Sequence, residues 1–164
     1  MNYHKQYDIY KPNASNGGCA FSFKILEKDK NDNLIKPSFL VQSIKQAKWN
    51  SQTKTGSFSE NAKDPEKNIY FKLNENEIGG MLNAIENYTD FSAYHTYNDD
   101  KTQISFKPYT KKTGQKAFSF SVVKNSTLKF GIGVELSEAR VLKSLFDLYL
   151  FKYLIINEKN SFPF

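Results

Sequence analysis

Apolar and polar residues alternate with period two through most of this chain, and twice the alternation gives way to a helical spacing. From Lys116 to Val123, Phe118, Phe120 and Val122 fall on one face and Ser119 and Ser121 on the other. After Lys124-Asn125-Ser126-Thr127 the pattern resumes. Leu128, Phe130, Ile132, Val134 and Leu136 point one way, and Lys129, Gly131, Gly133 and Glu135 the other. Strict alternation of this length predicts strands. Ser137 then reads as an N-cap with Glu138 in the first turn, opening a helix through Val141, Leu142, Leu145, Phe146, Tyr149 and Tyr153.

The same grammar reads the rest of the chain. Tyr3 to Tyr10 is a short edge strand or an arm, the strand completing a first set of four, and Pro12 to Gly18 is a loop of turn residues. Cys19–Lys28 is a strand with Phe21, Phe23 and Ile25 inward, and Ser38 to Trp49 is another. Asn50 to Lys67 is a long polar segment of the kind that is functional or disordered. Asn68 to Leu73 leads into a helix whose Asn74 and Glu77 have capping-box spacing. Gly79-Gly80 costs that helix about 1 kcal/mol per residue against alanine, tolerable where it packs closely on a neighbour. Phe91 to Tyr97 and Thr102 to Tyr109 form a hairpin, and Lys111 to Gln115 turns into the strand at Lys116.

Two stretches occur twice. Ile69 to Leu82 aligns with Ile132 to Leu145, and Ala20 to Ile25 echoes Ala117 to Val122. The expectation is an α+β fold made of a duplicated unit of about four antiparallel strands followed by a helix. That gives one domain over residues 1–156 and a C-terminal tail over 157–164. The second helix is apolar almost all round from Leu145 to Ile156, which asks for a second partner, the first helix and another subunit both being expected. A homo-oligomer follows.

Composition narrows function by exclusion. The 164 residues suffice for one packed domain. No run is long and apolar enough to span a membrane, and Met1 to Tyr10 is too polar for a signal peptide. A single Cys19 makes no internal disulfide, so the expected compartment is reducing and cytoplasmic. With His4 and His95 the only histidines, no metal set or catalytic triad has its usual spacing. No cofactor and no enzymatic activity are expected. His95 reads as a strand residue and Asp99-Asp100 as a turn. Gly131-x-Gly133 reads as a bulge or a close approach of another backbone.

What remains is basic and aromatic. The net charge is +6, and of 23 basic residues only Arg140 is arginine. Lysine suits phosphates, whereas duplex readout favours arginine's planar fork. Lys45, Lys48 and Trp49 close one strand with Lys54 just after it. Tyr94, Tyr97, Lys107, Tyr109, Lys111, Lys112 and Lys116 line the later hairpin region. Interleaved Lys and Tyr on a sheet can track a phosphate backbone while stacking bases.

A duplicated four-strands-plus-helix unit, with Leu73-Asn74-Glu75 and Leu136-Ser137-Glu138 at the strand–helix junctions, resembles the Whirly-like fold. Plant Whirly proteins, kinetoplastid guide-RNA-binding proteins and positive-cofactor-type coactivators share it, and phage single-stranded DNA-binding proteins of similar build exist. The plant family's Lys-Gly-Lys-Ala-Ala-Leu motif survives only as Lys116-Ala117-Phe118. The resemblance implies two helix-backed antiparallel sheets, oligomers, and single strands lying along the sheets. The final Phe162, Pro163 and Phe164 are similar to the tip of bacterial single-stranded DNA-binding proteins, which docks into partner enzymes. The function expected is therefore sequence-independent binding of single-stranded DNA in replication, recombination or repair, in a bacterial or phage-infected cell, with RNA as second-choice ligand. A structural or virion interaction protein and a transcription cofactor are the alternatives.

Overall fold

The computed structural model describes residues 5–160, with side chains described through 155. Among them, β1 (Gln6–Lys11), β2 (Cys19–Lys28), β3 (Leu34–Lys45) and β6 (Asn68–Leu73) form one antiparallel sheet in that order. A second is ordered β10 (Leu128–Glu135), β9 (Lys116–Lys124), β8 (Asp100–Thr110) and β7 (Phe91–Tyr97). A small hairpin of β4 (Lys48–Asn50) and β5 (Thr55–Ser57) makes a third. Helix α1 (Glu75–Asn87) follows the first sheet and α2 (Leu136–Asn160) the second. The class is α+β, as the alternation predicts.

Phe21, Phe23, Phe71, Phe118, Phe120 and Phe130 are all buried between these layers. Phe120 sits 5.0 Å from Phe21 and 5.8 Å from Phe23, ring centre to ring centre, and so joins the inner faces of the two sheets. Each helix reaches the sheet it does not follow. On α1, Gly80 lies against Phe91, and Tyr88, its C-cap, packs edge-on to Phe118 of the second sheet. On α2, Phe146 and Tyr149 pack on Phe39 of the first sheet. The helices also meet one another, Lys143 Nζ standing 3.4 Å from Glu86.

The row Lys11, Cys19, Lys45 runs across three strands of the first sheet. Lys11 bonds Glu138 just beyond the end of β10, while the Lys45 ammonium lies 5.6 Å above the ring of Phe130 near its start. A row perpendicular to one set of strands thus follows a strand of the other, so the sheets cross steeply.

Several boundaries differ from the sequence pattern. The strand expected over Ser38 to Trp49 breaks at Gln46, whose buried side chain is a hub. Its oxygen accepts from the Asn13 and Gly18 backbone N–H groups, and its amide donates to the Asn13 and Lys48 carbonyls. The long polar segment is ordered: β4 and β5 pair, and a 3-10 turn (Ser59–Asn61) follows. Phe58 packs 5.7 Å from Tyr10 and Gln42 donates to the Ala62 carbonyl, which lays this segment on the outer face of the first sheet. Helix α2 starts at Leu136, so Ser137 lies inside it and is not its N-cap. The Glu138 carboxylate accepts from the Glu135 N–H, as Glu77 accepts from the Asn74 N–H at α1. At its far end α2 continues to Asn160, past Ile156.

The two sequence matches fall differently on this topology. The Ile69 and Ile132 stretches occupy the last strand of each sheet and the helix after it. The Ala20 and Ala117 stretches occupy the second strand of one sheet and the third, in chain order, of the other.

Candidate nucleic-acid interface

The second sheet leaves one face open. Its inner face buries Ile104, Phe106, Phe118, Phe120, Val122, Phe130, Ile132 and Val134 against the helices and the first sheet. The opposite parity builds rows across the strands. One row is Tyr94, Gln103, Val123, Lys129 and the next Ser92, Ser105, Ser121, Gly131. Then come Lys107, Ser119, Gly133, and last Tyr109, Ala117, Glu135. Small side chains floor the middle, with Tyr94 and Lys129 at one end and Lys107 and Tyr109 at the other. Row spacing of about 6.6 Å puts Tyr94 and Tyr109 about 20 Å apart along the strand direction.

Local sequence explains the placement. Pro108 lies in β8 beyond the point where β7 begins pairing, at Phe91 opposite Phe106, so its missing N–H interrupts no ladder on that side. The pairing of β9 with β10 runs without a register shift. No bulge occurs at Gly131 or Gly133, and the close approach there is by a side chain. A Cβ on Gly133 would stand 2.7 Å from the Tyr109 hydroxyl. The glycine therefore lets the Tyr109 ring lie low across the sheet while it stays 37% exposed; Tyr94 is 60% exposed.

The expected binding residues divide among several places. Tyr94, Lys107 and Tyr109 share the open face. Tyr97 is at the β7–β8 turn, opposite Asp100, at the end of the sheet remote from Lys116, which pairs with Thr110. Lys111 and Lys112 form the β8–β9 turn. Lys111 is committed to Glu135 at 2.7 Å; this hydrogen bond outweighs desolvation, raising the lysine pKa and lowering that of the carboxylate. Lys116 stands 5.1 Å over the Tyr88 ring. Lys48, Trp49 and Lys54 belong to the β4–β5 hairpin beside the first sheet, where Lys48 pairs with Glu60 at 3.3 Å. Half-buried Lys45 caps Phe130. Phe162, Pro163 and Phe164 lie outside the described residues.

No family model, curated protein or solved structure matches this chain. The site therefore stands on its own chemistry. Lys107 and Lys129 have no salt-bridge partner among the described residues, so both charges are available to an anion. Lys129 and Gln103 were not among the sequence candidates, although the parity of Lys129 with Gly131 and Gly133 marks it. His95 faces inward, its Nε2 2.6 Å from Glu77 Oε1, and ties β7 to the first turn of α1. Among the described residues no group of three His, Cys, Asp or Glu side chains is arranged to hold a metal, and no helix is long and apolar enough to cross a membrane.

Proposed function

We propose that this chain is a non-enzymatic single-stranded DNA-binding protein, largely indifferent to sequence, that acts in replication, recombination or repair. The observation that carries the reading is the open face of the second sheet, where two exposed tyrosines and two lysines stand about a floor of serine and glycine. Bases stack on Tyr94 and Tyr109, phosphates approach Lys107 and Lys129, and the small floor lets the strand lie close to the backbone. The first sheet has the Phe58 segment on its corresponding face, so the two faces are not equivalent. The order of four sheet strands and a helix, twice along the chain, supports a duplicated unit similar to the Whirly-like fold. The match of the second strand to the third weighs on the other side.

The test is a titration of labelled oligothymidylate and of duplex across a salt series. Single strands bind more tightly, and log affinity falls linearly with log salt. Lys107→Gln with Lys129→Gln flattens the slope by about 1.4, at roughly 0.7 per phosphate contact on single strands. Tyr94→Ala or Tyr109→Ala costs about 1–3 kcal/mol with little change of slope. Equal affinity for duplex and single strand overturns the reading.

A second reading, an assembly or virion-type interaction protein, is favoured by α2. Its Val141, Leu148, Phe151 and Leu154 form an exposed apolar stripe opposite the buried Leu142, Phe146 and Tyr149. The two readings are compatible if the stripe builds a homo-oligomer of the binding protein.

A further inference from the structure

Apart from the open face, a groove of about 1000 Å3 lies between β6 and β7. It touches Ile69 through Asn74 and Tyr94 through Tyr97 in unbroken succession. Successive side chains of a strand point to opposite faces, so a groove that meets every residue in turn runs along the strand's edge. Among the described strands β6 pairs only with β3 and β7 only with β8. Both edges therefore present unpaired N–H and C=O groups to the same space.

Sheet edges are ordinarily guarded by charge, proline, bulges or a covering element. The edge strand β1 carries Asp8 and Lys11, and β6 carries Lys72. Strand β10 carries Lys129 and Glu135 and is covered at Phe130 by Lys45. Strand β7 reads Phe-Ser-Ala-Tyr-His-Thr-Tyr, with no proline, lysine or carboxylate, and pairs with β8 without a bulge. Of the four outer strands of the two large sheets it is the unguarded one. The charge of the groove argues against a polyanion as its occupant. Lys36, Lys72 and Lys124 are balanced by Glu75, Glu77 and Asp100, and Lys124 is already held by Asp100 at 2.7 Å. Half of the groups along a strand edge are carbonyl oxygens, which repel phosphate and accept from an amide.

We propose that the β7 edge accepts an extended polypeptide segment of a partner protein, added as a further strand to the second sheet. Of the four residues assigned to the nucleic-acid face, Lys107, Tyr109 and Lys129 do not line the groove and Tyr94 alone borders both places, so the two sites meet at that one side chain. The added strand's side chains alternate. One set points inward toward Phe71, Leu73 and Tyr149 and is apolar. The other points outward beside Tyr70, Tyr94 and Lys72 and is hydroxylated or acidic.

Panning a random dodecapeptide display library on the full chain, then synthesising the enriched peptides, supplies the probes. Enriched sequences alternate apolar with polar residues. They slow amide hydrogen exchange across Phe91–Tyr97 at least tenfold and leave β10 unchanged. Peptides methylated on alternate backbone nitrogens lose at least tenfold in affinity in the register that faces β7. Thr96→Lys, which adds the missing guard at an exposed position, weakens the unmodified peptide as much without shifting the thermal midpoint. Enrichment without alternation, protection elsewhere than β7, or indifference to methylation in both registers overturns the proposal. So does protection of β7 by oligothymidylate in place of peptide.

Discussion

Gly79 and Gly80 are adjacent in α1, and replacing each with alanine should have opposite consequences. In a helix interior either glycine costs about 1 kcal/mol relative to alanine, through backbone entropy. A Cβ at Gly79 meets nothing within 4 Å, so Gly79→Ala keeps the whole gain. A Cβ at Gly80 stands 2.7 Å from Cδ2 and Cε2 of Phe91, about 1 Å inside an ordinary carbon contact. Overpacking of this kind costs roughly 1–3 kcal/mol, so Gly80→Ala ends between neutral and about 2 kcal/mol less stable. The two variants should then differ by about 1–3 kcal/mol. In a chain of this size 1 kcal/mol moves the thermal midpoint by about 2–4 °C. Urea denaturation followed by circular dichroism reads the difference as a shift of midpoint at constant slope. Phe91→Leu, which shortens the opposing ring, should recover part of the loss only in the Gly80→Ala background, the mark of direct contact. If Gly80→Ala stabilises as much as Gly79→Ala, α1 does not rest on β7. The seat of α1 on the second sheet, which backs the candidate interface, would then be wrong.

Other expectations follow from single contacts. Burial, with Glu75 and Tyr153 nearby, pushes the Tyr149 hydroxyl up to about 12. The unfolded chain ionises this group near its ordinary value of 10 and the folded one does not, so stability falls as pH rises from about 10 to 12. Tyr149→Phe should lessen that alkaline loss in denaturation measured across the range. Phe151→Asp, at a side chain 64% exposed on α2, should turn a concentration-dependent mass in sedimentation into that of the monomer. A wild-type chain that is monomeric at every concentration refutes the α2 assembly. Gln46→Ala leaves the Asn13 and Gly18 amides without their acceptor and should cost about 1–3 kcal/mol. Emission from Trp49, the single tryptophan, reports whether the β4–β5 hairpin loosens with it.

Alternation in the sequence determined which residues form strands, and for β2, β6 and β7 it determined both ends, because a period of two is imposed by the pleat itself. It also assigned the faces. Phe118, Phe120 and Phe130 go inward, and Lys107 and Tyr109 outward, since burying one parity leaves the other in solvent. The capping box at Asn74 and Glu77 was legible for the same reason: every contact it needs lies within four residues. Contacts between residues distant in sequence were not legible. Gln46 breaks a strand because its amide is claimed by a loop 33 residues earlier, and the polar segment after it is ordered by Tyr10 and Gln42. The start of α2 moved to Leu136, where the N–H of Glu135, the last residue of β10, meets the Glu138 carboxylate. Only tertiary structure decided which lysines are free. Lys111 is held by Glu135 from another strand, Lys45 by Phe130 of the other sheet, and Lys107 and Lys129 by no ion-pair partner among the described residues. A lysine's charge is written in the sequence, but its availability depends on which carboxylate or ring the crossing of the two sheets brings within reach.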